Sequence, residues 1–232
     1  MRLDKILSHL GYGSRKEVKA FIRKGYVLVN GVPVYDDDFK VNEIEDEIVC
    51  LGESIHYEKL LYFILNKPSG YVSATYDPIE PTVMDFIVGY EKRGLFPVGR
   101  LDKDTTGLLL ISNDGKLAHQ LLSPNRHVDK VYELTFSGKF EESFYQEFQK
   151  GIVLEDGYIC KSASFKLQGE NHGFITISEG KYHQVKRMFQ ALNLEVLTLK
   201  RVSFGGLSLP KDLKEGQYRE LSREELDILF AN

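Results

Sequence analysis

A polar loop that runs directly into an apolar strand is the feature around which this chain has to fold. Residues 99–107 hold two carboxylates, an arginine and two threonines, and Leu108–Ile111 follow as an apolar run with the length of a buried strand. A rigid strand fixes such a loop while the loop stays reachable, which is where folds commonly place chemistry. Aspartates that only cap local amides are far commoner, so the loop alone favours a tight turn held by Asp102 or Asp104.

The first 34 residues predict two short helices and a hairpin. Apolar residues from Leu3 to Leu10 follow the spacing of an amphipathic helix. Ser14 and Glu17 form a capping box that opens a second helix, which Gly25 ends. Asn30-Gly31 is the strongest short hairpin signal, so a strand on each side of it is expected.

Charge is distributed unevenly along the chain, which is why a net charge of −4 does not exclude nucleic acid. Residues 1–34 carry seven Lys or Arg against two acids, and residues 35–58 carry nine acids against Lys40 alone. Screening confines electric fields to about 8–10 Å, so a basic helix face can bind phosphate beside an acidic segment. A solvated charged face is the alternative interpretation.

Several protein classes are disfavoured by the composition. No apolar run approaches the roughly 18–20 residues of a membrane helix, and the start lacks the apolar segment of a secretion signal. Cys50 and Cys160 fit no metal or redox spacing, and the six histidines are scattered. We therefore expect a cytoplasmic protein with reduced cysteines, no metal and no exposed apolar stripe, hence a monomer.

The order of elements beyond residue 60 predicts an α+β fold. Strands arrive in runs rather than in regular alternation with helices, which favours a mixed, largely antiparallel sheet flanked by helices. We expect a small domain at 1–57 and a second domain at 60–232. Strands are expected at 61–65, 71–73, 108–112, 131–137, 162–167, 174–178 and 197–202, and helices at 82–88, 116–122, 141–150, 182–192 and 222–230.

The residues 99–110, Gly-Arg-Leu-Asp-Lys-Asp-Thr-Thr-Gly-Leu-Leu-Leu, resemble the catalytic motif of the pseudouridine synthases of the RsuA family. Further pieces of the family pattern occur in order at Asn66–Tyr71, Lys130–Tyr132 and Glu179–Met188. This ordered set covers nearly the whole chain and is far more specific than any one motif. The two helices and the Asn-Gly hairpin likewise resemble an S4-type RNA-binding domain.

The resemblance implies an enzyme that isomerises one uridine of ribosomal RNA to pseudouridine without a cofactor or metal. Uridine 516 of small-subunit 16S rRNA, within a partly assembled subunit, is the implied target, and a uridine of large-subunit 23S rRNA is the closest alternative. Asp102 is then the catalytic carboxylate and Tyr132 stacks on uracil or relays a proton. Lys186 supplies the cation beside Asp102, with Arg187 as its substitute, and Leu199 packs against the uracil pocket.

The RNA contacts are also expectations from the resemblance and from charge. Arg100 precedes Leu-Asp at the position that fills the gap left by an extruded base. The remaining contacts are expected on the basic helix face and on a second basic patch at 181–201. They are Arg2, Lys5, Arg15, Lys16, Lys19, Arg23 and Arg187, with Lys67, Lys181, His183, Gln184, Lys200 and Arg201 as weaker candidates.

Two other functions fit part of the pattern. Asp102-Lys103-Asp104-Thr105-Thr106 also matches the nucleophile loop of haloacid-dehalogenase-type phosphatases, in which Asp102 and Asp104 would bind Mg²⁺. That class has a parallel, doubly wound fold with the nucleophile near the domain start, which suits this chain poorly. A non-catalytic RNA-binding assembly factor is the second alternative.

Overall fold

The computed structural model of the chain describes residues 1–43, 45–55, 57, 60–123 and 126–231. The chain divides into two compact units, which we call the N-terminal unit (Met1–Leu61 with Ile87–Leu95) and the large unit (Tyr62–Phe86 with Phe96–Asn232). Residues 58 and 59, which separate the two predicted domains, lie outside the described residues. The 87–95 segment, which the sequence placed in the larger domain, joins the N-terminal unit, where the Arg93 guanidinium lies 4.7 Å from the Tyr57 ring centroid. Within the described ranges, every helix is too short or too polar to cross a membrane.

The N-terminal unit packs two helices against a four-stranded antiparallel sheet. Its elements are α1 (Leu3–His9), α2 (Arg15–Arg23), β1 (Val27–Val29), β2 (Val32–Pro33), β3 (Ile48–Cys50) and β4 (Glu53–Ile55), with strand order β2-β1-β3-β4. The capping box is present, since the Ser14 amide donates to Glu17 Oε2 at 2.7 Å. Asn30 and Gly31 both have positive φ, as the tight hairpin turn requires.

The large unit is built on a nine-stranded mixed sheet. Its strands are β5 (Tyr62–Lys67), β6 (Phe96–Val98), β7 (Thr106–Ser112), β8 (Lys130–Ser137), β9 (Ser164–Leu167), β10 (His172–Ile177), β11 (Glu195–Phe204), β12 (Leu207–Ser208) and β13 (Tyr218–Glu220). The helices are α3 (Gly115–Leu122), α4 (Phe144–Lys150), α5 (Gln184–Ala191) and α6 (Arg223–Phe230). The main order is β13-β5-β7-β11-β8-β10-β9. Strands β7 and β11 run parallel, and the other pairings between the named strands are antiparallel, so the predicted α+β class is confirmed.

Two local predictions were wrong. The strand expected at 71–73 is only a single bridge between Val72 and Thr82, and the helix expected at 82–88 is a 3-10 turn, Val83–Phe86. Pro78 and Pro81 lack the amide that a continued ladder needs, which limits regular pairing in this segment. The sequence also missed β4, β6, β12 and β13, because strands of two or three residues carry no readable alternation.

Aromatic packing sets the position of α5 on the sheet. The Phe189 ring lies 5.4–5.5 Å from the rings of Phe136, Phe148 and Phe165. Because Val185, Met188 and Phe189 are buried, the helix is held in one rotational setting, with the intervening residue Lys186 on its partly exposed side.

Strands β7 and β11 approach closely at Gly107. A Cβ atom there would lie 2.3 Å from the Arg201 carbonyl oxygen, and the backbone φ is +98°. Only glycine fits both conditions. The parallel pairing of these strands begins at this point, directly after the loop that carries Asp102.

Candidate active site

The loop that precedes β7 is braced from beneath by Lys67. This side chain is fully buried, and its ammonium donates hydrogen bonds to the carbonyl oxygens of Pro68, Lys103 and Thr105 at 3.1, 3.1 and 2.8 Å. Burial lowers its pKa to about 8, although Asp104 and Asp102 act in the opposite direction. The prediction that Lys67 contacts RNA was therefore wrong, because its ammonium is enclosed and bonded to the loop backbone.

Two further contacts fix the same loop. Ser73 Oγ donates to the Leu101 carbonyl at 2.9 Å and accepts from the Leu101 amide at 3.0 Å. The Gly70 amide donates to the Lys103 carbonyl at 2.8 Å. The backbone on both sides of Asp102 is thus held, and sequence reasoning missed Ser73 because a lone serine in a loop carries no signal of this role.

The Asp102 carboxylate lies between two side chains from the start of α5. Lys186 Nζ is 3.4 Å from Asp102 Oδ2, and His183 Nε2 is 3.7 Å from Asp102 Oδ1. The Asp102 side chain is 26% exposed, so it is shielded but reachable. Lys186 also donates to Asp104 Oδ1 at 2.6 Å, and this hydrogen bond lowers the pKa of Asp104. One lysine therefore serves both carboxylates of the loop.

His183 enters the site through an uncommon backbone conformation. It precedes α5 with φ 48° and ψ 31°, in the left-handed region that non-glycine residues seldom adopt. Its ring stacks on Tyr182 with centroids 3.8 Å apart. His183, expected among the RNA contacts, lies beside the Asp102 carboxylate and lines the same cleft. Strained residues that surroundings over-determine concentrate at functional sites.

Tyr132 and Leu199 complete a cleft in front of Asp102. Both are 8% exposed and lie on the adjacent strands β8 and β11. Arg100 lies exposed at the rim. Two of the predicted catalytic residues, Asp102 and Tyr132, thus line one cleft with Leu199, while Lys186 contacts Asp102 from outside that lining. The full lining is Arg100, Leu101, Asp102, Thr105, Tyr132, Ile177, Gly180, Lys181, His183, Gln184, Val185 and Leu199.

Arg201 lies behind Tyr132, at the directly paired position of β11. It is 2% exposed, donates from Nε to the Leu108 carbonyl at 2.7 Å, and interacts with the Tyr132 phenol. Its guanidinium carbon also lies 4.7 Å from the Phe204 ring centroid. Arg201 is consequently not the surface RNA contact that the sequence suggested, but a buried link between the strands that carry the site.

The side chains of two predicted residues of α5 are engaged by other groups of the protein. Arg187 pairs with Asp156 at 2.6 Å and with Glu155 at 3.8 Å, so it is not a substitute for Lys186 beside Asp102. Gln184 is 4% exposed, accepts from the Lys181 amide and donates to Glu179. The amide oxygen and nitrogen of Gln184 are both hydrogen-bonded within the protein, which contradicts the prediction that Gln184 contacts RNA.

Most of the predicted basic face of α1 and α2 is paired with acids of the N-terminal unit. Asp37 contacts Arg23 at 2.6 Å and Lys19 at 3.5 Å. Arg2 bonds Asp4 at 2.9 Å and also pairs with Asp38. Arg15 lies 3.6 Å from Asp4, while Lys5 and Lys16 are exposed. The acidic segment after the hairpin, Asp36–Asp38, thus partly neutralises the surface that the sequence assigned to RNA.

The chemistry open to the cleft is that of a single carboxylate beside an apolar wall and a phenol. Such a set can supply a nucleophile or a base and hold a flat ring against Tyr132 and Leu199. Among the described residues, no three His, Cys, Asp or Glu side chains converge in a way that could hold a metal ion.

Comparison with known proteins gives consistent matches over the whole chain. Residues 61–191 match the model of the RNA pseudouridylate synthase family, and residues 1–48 match the S4 domain. An uncharacterized RNA pseudouridine synthase of Bacillus subtilis is 45% identical over 99% of this chain and 98% of its own. The ribosomal small subunit pseudouridine synthase A of Escherichia coli is 38% identical, covering 97% and 98% of the two chains.

Two further relatives extend these matches. The ribosomal large subunit pseudouridine synthase B of Bacillus subtilis is 37% identical over 99% of this chain and 96% of its own. A crystal structure of a pseudouridylate synthase superposes with a TM-score of 0.70 at 36% identity, covering 99% of both chains.

Proposed function

The chain belongs to the RNA pseudouridylate synthases, and on that premise we propose that it converts a uridine of ribosomal RNA to pseudouridine through Asp102. The observation that carries the proposal is the cleft in which Asp102 faces Tyr132 and Leu199 while Lys186 lies 3.4 Å from its carboxylate. The domains proposed are 1–57 for RNA binding and 60–232 for catalysis.

The proposed reaction is an isomerisation. The N1–C1′ bond of the target uridine breaks, the uracil turns within the cleft, and a C5–C1′ bond forms while C5 loses its proton and N1 gains one. Asp102 is the carboxylate that reacts with the target nucleotide, at its sugar or at its base. Tyr132 and Leu199 hold the detached uracil ring between them. Lys186 places positive charge beside the carboxylate, and Arg100 fills the gap left by the extruded base.

The proposed target is uridine 516 of small-subunit 16S rRNA in a partly assembled subunit, modified in the cytoplasm by a monomer. The full-length similarity to the small subunit enzyme supports this choice. A relative named for the large subunit is almost as similar, so 23S rRNA is the alternative that the experiment has to separate.

The phosphatase alternative conflicts with the fold. It requires a parallel, doubly wound sheet around the aspartate loop. Strand β7, which follows the loop, pairs antiparallel with β5 and β6 and parallel only with β11. We therefore propose no phosphatase activity.

The test is tritium release from RNA labelled at uracil C5. Wild-type protein and Asp102→Ala are incubated with 16S rRNA, free and in partly assembled particles, and with 23S rRNA. Release by the wild type alone supports the synthase through Asp102, and the RNA that reacts identifies the target class. RNA binding without release from any of these RNAs would favour the non-catalytic assembly factor.

The acidic segment gives a prediction for RNA affinity. Asp37→Asn should raise the affinity for rRNA about threefold or more at low salt, because it releases Arg23 for phosphates and leaves Lys19 with Asp38 as its remaining partner. The dissociation constant measured as a function of salt checks this, and the salt dependence should become steeper. Glu53→Gln is the matched control, since it removes an exposed carboxylate from β4 of the same unit. Equal effects of the two substitutions would reduce the result to net charge.

A further inference from the structure

A second cavity of about 480 Å³ adjoins the uracil cleft in the large unit. The two share Arg100, Tyr132, Gly180 and Lys181 in their linings. The proposed reaction uses the cleft but assigns nothing to this neighbouring space. Because a nucleotide is larger than its base, a neighbouring cavity is available for the part of the RNA that enters with the uracil.

The floor of the cavity is made by two buried cations. Lys130 is 9% exposed, and among the described residues the Val128 carbonyl, at 2.7 Å, is the one hydrogen-bond acceptor of its ammonium. Burial lowers the pKa of Lys130 to about 8, and neighbouring Arg201 adds to this effect. Arg201 Nη2 is also buried without a hydrogen-bond partner in the described part of the chain. Asp129 and Glu179 act on Lys130 only through space, and the hydrogen bonds described for the two cations go to carbonyl oxygens rather than to a carboxylate.

The rim of the cavity adds further positive charge. Lys161 and Lys181 lie there with Arg100, against the carboxylate of Glu179. Both Glu179 oxygens are already engaged, because they accept from the Tyr158 hydroxyl at 2.7 Å and from the Lys161 amide at 2.8 Å. A second donor, Gln184 Nε2, lies 2.7 Å from Glu179 Oε1. Glu179 keeps its negative charge and acts on Lys130 through space, but its oxygens are hydrogen-bonded to other groups and none of the described contacts joins them to the Lys130 ammonium.

The cavity lining thus contains five cations and one carboxylate, Glu179, whose oxygens already accept hydrogen bonds. The cavity lies beside the cleft proposed for the uracil. Leaving buried charge unpaired is costly, so an arrangement of this kind suits an anion supplied from outside. A phosphate group offers oxygen acceptors for charge-assisted hydrogen bonds to Lys130 and Arg201, whereas a neutral base brings no negative charge to them.

We propose that this cavity binds a backbone phosphate next to the target uridine, with Lys130 as the group that meets the phosphate oxygens. The inference rests on the proposed function, since the uracil in the cleft sets which phosphate is near. Arg201 contributes positive charge from beneath, and Lys161 and Lys181 close the rim. The site would hold the nucleotide by its backbone while the base turns.

The first experiment changes the RNA rather than the protein. Fragments of the rRNA that reacts in the tritium assay are made with a neutral methylphosphonate either 5′ or 3′ of the target uridine. For each of the two linkages, a reference fragment carries the natural phosphate. The neutral fragment and its reference both carry a 2′-O-methyl group on the nucleotide that precedes that linkage. Wild-type protein should bind one of the two neutral versions about tenfold or more weakly, the loss expected of one charge-assisted contact.

The second experiment asks whether Lys130 is responsible. Lys130→Met should bind the natural fragment about as weakly as the wild type binds the sensitive neutral version. The Lys130→Met protein should also bind the natural fragment and the sensitive neutral version equally. Lys139→Met, which removes an exposed lysine at the end of β8, should keep the full tenfold difference. Lys161→Met at the rim provides a second variant, with a smaller loss expected, should Lys130→Met fail to fold.

The outcomes separate this inference from the proposed function. Absence of tritium release from any rRNA overturns the function itself. If tritium is released but the wild type binds both neutral versions as tightly as their natural references, the phosphate site alone is overturned. The phosphate site is also overturned if Lys130→Met still binds a neutral version more weakly than its natural reference. Titration with inorganic phosphate tests whether the cavity is instead a site for a free anion. In that case the wild type would bind inorganic phosphate, and its RNA affinity would be unchanged by the methylphosphonates.

Discussion

Asp102→Asn is expected to lower the rate of pseudouridine formation by about 10³-fold or more. The substitution keeps the size of the side chain but removes the carboxylate that the reaction needs. Its contacts with Lys186 and His183 are partly exposed, so the free energy of unfolding should change by less than about 1 kcal/mol. Single-turnover tritium release and chemical denaturation measure the two effects separately.

Asp104→Asn is the matched control for this experiment. It removes the neighbouring carboxylate, which pairs with the same lysine at 2.6 Å but is 69% exposed. We expect a loss of activity of about tenfold or less, since Asp104 acts only by holding Lys186. If Asp104→Asn were as inactive as Asp102→Asn, the assignment of the reactive carboxylate to Asp102 would have to be abandoned.

Lys67→Met is expected to produce the largest loss of stability, about 2–4 kcal/mol in the free energy of unfolding. Methionine fills the buried channel but leaves the carbonyls of Pro68, Lys103 and Thr105 without the ammonium donor. Because two of these carbonyls belong to the loop around Asp102, activity should fall as well. Urea denaturation followed by circular dichroism measures the stability.

Lys103→Met in the same loop provides the comparison. Lys103 is 48% exposed and pairs with Glu80 at the surface, so its removal should cost about 0.5 kcal/mol or less. Similar losses for the two variants would show that the interior hydrogen bonds of Lys67 contribute no more than a surface ion pair.

The pH dependence of the Lys67 effect follows from its lowered pKa. The folded chain releases this proton near pH 8, whereas the ordinary value in the unfolded chain is 10.5. Between these values the unfolded state binds more protons, so the contribution of Lys67 to the free energy of unfolding rises with pH. Wild type should accordingly gain stability relative to Lys67→Met from pH 8 to pH 10. A difference that stays flat over this range would contradict the burial of a charged lysine.

Local signals in the chain were sufficient for much of the fold. The capping box at Ser14 and Glu17, the Asn30-Gly31 turn and the apolar run after Thr106 each depend on residues within a few positions of one another. Their structures follow from short-range hydrogen bonds and backbone preferences, which are written in consecutive residues. The ordered motifs placed Asp102, Tyr132 and Lys186 as candidates, and the family resemblance added Leu199. Asp102, Tyr132 and Leu199 line one cleft, and Lys186 contacts Asp102.

The sequence by itself thus determined the element types, the α+β class and the residues worth considering for catalysis. Tertiary structure decided what each cation does. Lys67 is enclosed under the loop, Arg187 turns to Asp156, and Asp37 covers part of the basic helix face. Residue type alone leaves these outcomes open, because a lysine or arginine can be solvated, paired or buried. The choice depends on which distant carbonyl or carboxylate the fold brings within about 3 Å of it.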